Sequence, residues 1–195
     1  MATLKIQLTL WGKGYPVRKR TDNLEAYDYL LRGSESFGRA LRETRREANE
    51  QAKQMIEKAI ALDPTYAEAY AYLGWSYWLD RWLGWSPNPA QTLERELELA
   101  QKAIALDDSL AAAHRLLAAN YLARKQHELA IAAEERAIAL DPNWTNAYLE
   151  MGTILAYAGR PEEALGFIEK AGRLNPREPP SHLNALGFAY RVAGH

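Results

Sequence analysis

The chain has 195 residues, of which 48% are apolar and 25% charged, and its net charge is −1. These values are typical of a globular protein, and the balanced charge argues against a dedicated nucleic-acid binder, which usually carries a basic stripe. Cysteine is absent and no apolar run approaches the roughly 20 residues of a membrane helix, so we expect a cytoplasmic protein with neither thiolate metal sites nor membrane contact.

Residues 1–22 are predicted to form a short arm before a helical region that spans residues 23–195. The apolar residues of the arm alternate with polar ones, as in a strand with one apolar side: Leu4, Ile6, Leu8 and Leu10. The arm also contains "WGKGYP", but a lone Gly-Lys-Gly without a following Ser or Thr does not make a phosphate loop. No phosphate-binding site is therefore predicted in the arm.

Four segments of the helical region end alike: "IEKAIALDP", "AQKAIALDD", "EERAIALDP" and "IEKAGRLNP". Their shared alanines, spaced by 44, 34 and 34 residues, are Ala59, Ala103, Ala137 and Ala171. A residue before proline avoids helical backbone angles, so Asp63, Asp141 and Asn175 are expected to end helices. The unit is thus helix, turn, helix, turn, with a period of 34.

The first helix of each unit carries a second pattern: a large residue, Leu-Gly three positions later, and then another large residue. It is found as Tyr70, Leu73-Gly74 and Tyr77, as Tyr148, Met151-Gly152 and Leu155, and as Leu183, Leu186-Gly187 and Tyr190. With the 34-residue period, this pattern resembles the tetratricopeptide repeat (TPR). The resemblance implies an all-α, right-handed superhelix (α-solenoid) of about four and a half repeats, near 24–64, 65–108, 109–142, 143–176 and a partial 177–195.

Two repeats depart from this pattern. The stretch "GRALRETRREANEQ" is expected to lengthen the join between the two helices of the first repeat. The second repeat is ten residues too long, and we expect "LDRWLGWSPN" or nearby residues to extend its first helix by two or more turns. In the same repeat, Glu96 stands where a small helix-contact residue is expected.

The long second repeat carries four tryptophans, Trp75, Trp78, Trp82 and Trp85, at gaps of three, four and three residues, which place them on one helix face. This stripe is centred roughly 100° from the face that contacts the partner helix, so we expect it in or above the concave groove. The N-terminal arm could cover it, a partner or second copy could bind it, or it could be a platform for a small molecule or sugar. Trp144 is instead predicted to pack locally in its turn.

Helical phase gives a set of candidate residues for a partner-binding groove: Tyr27, Trp75, Trp78, Trp82, Trp85, Arg115, Asn146, Thr153, Asn184 and Phe188. No catalytic, cofactor or metal site is predicted, because the four histidines share no ligand spacing. The pairs Glu134-Glu135 and Glu162-Glu163 are expected on exposed helix faces. The predicted partner is a protein or peptide, with homodimerisation as the competing possibility.

Residues 2–33, "ATLKIQLTLWGKGYPVRKRTDNLEAYDYLLRG", carry a more specific resemblance. They are similar to the junction at which TPR repeats begin in bacterial class III adenylate or guanylate cyclases with a TolB-like domain. This resemblance implies that the chain is the non-catalytic, C-terminal regulatory region of a cyclase-like signalling protein. It also implies that residues 1–22 are the remnant of a preceding domain, in which they form the last helix rather than the strand that their alternation indicates. The cyclase's catalytic residues belong to a different domain, so none carries over to this chain.

Overall fold

The computed structural model describes residues 21–176, together with Gly187 and Arg191. Residues 21–176 contain eight α-helices and no strand, which confirms the all-α expectation for this part of the chain. The helices are α1 (Leu24–Glu43), α2 (Arg46–Leu62), α3 (Ala67–Trp82), α4 (Pro89–Leu106), α5 (Ala111–Ala123), α6 (His127–Leu140), α7 (Thr145–Tyr157) and α8 (Pro161–Leu174). Residues 1–20 of the predicted arm lie outside the described residues, and so does the partial fifth repeat at 177–195 apart from Gly187 and Arg191.

Consecutive helices pack in pairs: α1 with α2, α3 with α4, α5 with α6, and α7 with α8. The chain forms two compact units, divided between Asp108 and Ser109. In the first unit α2 also packs against α3, and in the second α6 packs against α7. Within each unit, short turns make consecutive helices antiparallel neighbours.

The predicted helix ends are confirmed at Asp63, Asp141 and Asn175, each of which caps the C-terminus of its helix. The backbone N–H of each donates to the carbonyl of the shared alanine four residues earlier. Proline follows all three residues, and its ring keeps the preceding backbone out of the helical region.

Two glycines allow close helix contact within their repeats. A Cβ atom added to Gly33 would lie 2.6 Å from Ile56 Cγ1, and one added to Gly152 would lie 2.5 Å from Ile168 Cγ1. Neither distance leaves room for a methyl group. The close approach of α1 to α2, and of α7 to α8, therefore requires glycine at these positions.

The ten extra residues of the second repeat are shared among three places. α3 has 16 residues where α5 and α7 have 13, α4 has 18 where α6 and α8 have 14, and six residues (83–88) join α3 to α4 where three (124–126) join α5 to α6. The predicted extension of the first helix by two or more turns is therefore wrong. The physical reason is Gly84, which adopts a left-handed φ of 70° and ends the helix, after which Asn88 caps α4 and Pro89 begins it.

The predicted long join in the first repeat is also wrong. α1 runs for 20 residues, and only Thr44 and Arg45 separate it from α2. The extra length lies in the helix, because the Arg- and Glu-rich stretch is a good helix former. Thr44 makes the turn with a left-handed φ of 52°.

Candidate functional site

Three residues distinguish α3 from the corresponding helices of the next two repeats. If α3 ended after 13 residues, as α5 and α7 do, it would stop at Leu79. The additional residues are Asp80, Arg81 and Trp82. Each of them makes a contact that shapes the long second repeat.

Trp82 is the exposed end of a row of tryptophans. Its ring stacks on Trp78, with centroids 5.3 Å apart and planes 12° apart, and Trp78 meets Trp75 edge to face at 5.3 Å. Trp82 is 59% exposed, Trp78 and Trp85 are half-buried, and Trp75 is only 2% exposed. The expectation of a surface stripe therefore needs correction at Trp75, which the packing of the folded chain places in the core.

Asp80 joins α2 to α3 and also shapes the turn that follows α3. Its carboxylate accepts hydrogen bonds from Lys53 Nζ and Asn49 Nδ2, both at 2.7 Å. Its backbone carbonyl accepts from the N–H groups of Trp85, at 2.7 Å, and Ser86, at 3.1 Å. Burial acts to lower the pKa of Lys53, but its hydrogen bonds to Asp80 and Glu50 outweigh this and raise the pKa.

Arg81 joins α3 to α4 through a two-pronged ion pair. Its Nε lies 2.7 Å from Glu96 Oε1 and its Nη2 lies 3.1 Å from Glu96 Oε2. The Glu96 side chain is fully buried, so the guanidinium supplies the charge partner that a buried carboxylate requires. The sequence marked Glu96 only as a departure from the repeat, and it gave no signal for its pairing with Arg81 or for Asp80 with Lys53.

Glu134 corrects another expectation. The structure buries it completely on α6, whereas Glu135, Glu162 and Glu163 are exposed as predicted. Within the described chain, neither of its carboxylate oxygens accepts a hydrogen bond. Burial raises the pKa of Glu134 well above its usual value; the charge of Arg115 opposes this rise and that of Glu150 adds to it. The exposed-face prediction failed because adjacent glutamates on a helix point about 100° apart.

The other groove candidates are less exposed than Trp82. Tyr27, Asn146 and Thr153 are half-buried. Arg115 is 4% exposed, and its guanidinium lies 5.0 Å from the ring centre of Trp144. Trp144 is itself buried, and this contact joins it to α5 of the preceding repeat. The remaining candidates, Asn184 and Phe188, lie outside the described residues.

Among the residues that the structure describes, no group of three or more His, Asp or Glu side chains could hold a metal ion. No helix in that part of the chain has the length and hydropathy needed to cross a membrane.

Several solved structures share this fold. The MamA protein has a TM-score of 0.59 at 22% identity, with 87% of this chain and 83% of that chain covered. PilF of Pseudomonas aeruginosa has a TM-score of 0.66 at 22% identity, with 88% of this chain and 70% of that chain covered. A thermophilic TPR protein of Thermus thermophilus has a TM-score of 0.65 at 18% identity, with 84% of this chain and 98% of that chain covered. No protein-family model and no curated protein matches the chain; the structural likeness shows an all-α TPR fold.

Proposed function

We propose that the chain is a non-catalytic scaffold that binds a protein or peptide through the surface formed by Trp78, Trp82 and Trp85, called here the aromatic surface. The observation that carries the proposal is the stack of Trp78 and Trp82, whose outer ring is 59% exposed. Large aromatic side chains dominate the binding energy of many protein interfaces. TPR folds are built to present such surfaces along stacked repeats.

The contacts around the aromatic surface favour binding because they hold it in place before a partner arrives. Asp80 fixes the turn that carries Trp85, and Arg81 ties the last turn of α3 to Glu96. A surface that is already ordered loses less conformational entropy on association. Tyr27, Asn146, Thr153, Asn184 and Phe188 stay proposed partner-binding residues on the ground of their positions in the sequence.

The wider setting of this scaffold rests on sequence alone. The resemblance of residues 2–33 to the repeat junction of cyclases supports a regulatory region of an adenylate cyclase-like, signal-transducing protein. The cytoplasmic location likewise stays a prediction from the sequence. Both statements concern the protein to which the scaffold belongs, and the binding proposal does not depend on them.

Self-association is the second candidate function, and the same exposed ring favours it. Trp82 could stack against Trp82 of another copy, which would remove apolar surface from water in both copies. Light scattering over a dilution series distinguishes the two functions. A dimer that resists dilution and becomes monomeric in Trp82→Glu would favour self-association over capture of a separate partner.

The binding proposal is tested by selecting peptides from a displayed random library on the full chain. The selected peptides are then measured against the wild type, Trp82→Ala and Tyr157→Ala. Tyr157 is a matched control because it is the last residue of α7, as Trp82 is of α3, and is 57% exposed. We expect Trp82→Ala to raise the dissociation constant roughly 30-fold, equivalent to an aromatic hot spot of about 2 kcal/mol, while Tyr157→Ala has little effect.

Two results would contradict the proposal. One is a selection that enriches no peptide above a column without protein. The other is a set of selected peptides that bind Trp82→Ala as tightly as the wild type. Circular dichroism of each variant shows whether the helices are intact, so that a loss of binding is not confused with unfolding.

A further inference from the structure

The turn that carries Trp85 lies three residues later than the corresponding turns of the next two repeats. In each of those turns an N–H donates to a carbonyl five residues earlier, at Tyr121 after α5 and at Leu155 after α7. The residue with the same place in the second repeat is Tyr77, which precedes Tyr121 by the repeat spacing of 44. Trp85 donates instead to the carbonyl of Asp80. The insertion has therefore moved this turn along the chain.

The displaced end of α3 is held by side chains of α2. The last turn of a helix frays because its carbonyl groups have no partners within the helix, and Asp80 lies in that turn, since α3 ends at Trp82. Lys53 Nζ donates to Asp80 Oδ2 and Asn49 Nδ2 donates to Asp80 Oδ1, both at 2.7 Å. Asn49 Nδ2 also donates to the carbonyl of Ser76, one turn earlier, at 2.8 Å. Two side chains of the first repeat thus fasten the last two turns of α3 to α2.

Lys53 departs from the repeat pattern at the position from which it reaches Asp80. Counted from the shared alanines, the corresponding residues of the other second helices are all apolar: Leu97, Ile131 and Leu165. The Lys53 side chain is only 12% exposed, and a buried ammonium group requires an opposite charge. Asp80 supplies one that is itself almost buried, and it belongs to the three residues by which α3 is longer than α5 and α7. The lysine therefore matches the longer helix.

We propose that Lys53 and Asn49 are positioning residues for the aromatic surface. They hold the last turn of α3 in place, so that the carbonyl of Asp80 keeps Trp85 in its turn. A surface carried by the second repeat is then ordered by side chains of the first repeat, which have no need to touch the partner. For its effect on binding this inference rests on the proposed function, whereas the fixing of the turn requires no partner.

Amide hydrogen exchange of the full chain, followed by NMR, tests the positioning without a partner. Lys53→Met keeps the length of the side chain and removes its charge. We expect the N–H groups of Trp85 and Ser86, which donate to the carbonyl of Asp80, to exchange roughly 10- to 100-fold faster, as expected after loss of a hydrogen bond to a charged group. The N–H of Asp63 donates to a carbonyl at the other end of α2 and should exchange as in the wild type.

Glu50→Gln is the matched control for Lys53→Met. Glu50 also accepts a hydrogen bond from Lys53 Nζ, at 2.9 Å, but that bond stays within α2. The control should therefore leave exchange at Trp85 and Ser86 unchanged. Asp80→Ala removes the contact from the side of α3 and keeps the backbone carbonyl, so it should reproduce the effect of Lys53→Met, and the double variant should add little to either.

The peptides selected on the wild type test the connection to binding. Lys53→Met should raise their dissociation constant roughly 3- to 10-fold, because the partner must then order the surface itself, and Glu50→Gln should not. Unchanged exchange at Trp85, an equal acceleration at Asp63, or unchanged peptide affinity despite faster exchange would each overturn the positioning role. A selection that yields no peptide would instead remove the proposed function, and the exchange rates would still decide whether Lys53 fixes the turn.

Discussion

Two neighbouring repeats, residues 65–108 and 109–142, each bury a glutamate on the second helix, but they treat the charge differently. In the first of these two repeats, the Arg81 guanidinium donates a hydrogen bond to each carboxylate oxygen of Glu96. Glu134 of the second has neither carboxylate oxygen hydrogen-bonded within the described chain. Arg81 is available to Glu96 because α3 continues past Leu79, where a helix as long as α5 would end.

The difference shows that burial alone does not decide the protonation state of an acidic side chain. With its forked partner, Glu96 can be buried as a carboxylate. Without hydrogen bonds, Glu134 is favoured as a neutral acid, and its pKa is raised. One glutamate therefore ties two helices together, while the other lowers the stability of its repeat as the pH rises.

The largest expected effect comes from removing the partner of Glu96. Arg81→Ala removes the two-pronged partner of the buried Glu96 side chain and should lower the free energy of unfolding by about 3 kcal/mol, as measured by urea denaturation. Arg95→Ala is the control, because it breaks the exposed Arg95–Glu98 pair on α4 and should change stability by less than about 1 kcal/mol. Equal losses in the two variants would show that the buried pair holds no special role.

The second largest effect is a gain in stability from replacing Glu134. Glu134→Met fills the same space with an apolar side chain. It removes the cost of burying a polar group that accepts no hydrogen bond within the described chain, and it should stabilise the protein at pH 7 by roughly 1–3 kcal/mol. Unfolded Glu134 ionises near its ordinary pKa of 4.5, whereas the folded residue keeps its proton to higher pH. Wild-type stability is therefore lost as the pH rises from about 4.5 toward the folded pKa, and the advantage of Met should grow over the same window.

Thermal unfolding between pH 4.5 and 8 tests this second effect. Glu135→Met, one residue along on an exposed position, should follow the wild type within about 0.5 kcal/mol. If Glu134→Met proved less stable than the wild type across this range, Glu134 would have to be ionised and well paired in the fold.

The smallest effect concerns the turns that follow the first helices of the same two repeats. Gly84 has a φ of 70° after α3, and Lys125 has a φ of 60° after α5. Left-handed backbone strains every residue except glycine, so Lys125→Gly should stabilise the protein by about 0.5–1 kcal/mol. Gly84→Ala should lower the free energy of unfolding by a similar amount. Unchanged melting temperatures for both variants would mean that the two turns relax without strain.

The repeat pattern allowed much of the fold to be predicted. The Asp-Pro and Asn-Pro steps located the ends of α2, α6 and α8, since a residue before proline cannot continue a helix. The ten additional residues were recognised from the 44-residue spacing. Their distribution was predicted incorrectly, because the sequence does not state how an insertion is divided between a helix and a turn.

The site was less predictable than the fold. The spacing of the tryptophans placed them on one helix face, but the stacking of Trp78 on Trp82 and the burial of Trp75 depend on neighbouring helices. The pairing of Arg81 with Glu96 crosses from one helix to the next over 15 residues. Helical periodicity describes one helix at a time, and it contains no information on such contacts.

The sequence by itself determined the repeated pairs of helices, the ends of α2, α6 and α8, and the close packing at Gly152. These features depend on local backbone preferences and on side-chain size, which each short segment carries with it. Only the tertiary structure decided which charges are paired and which aromatic ring is exposed. Burial and pairing depend on what surrounds a side chain in space, so Glu96 and Glu134 acquire opposite roles although each is simply a glutamate on a helix.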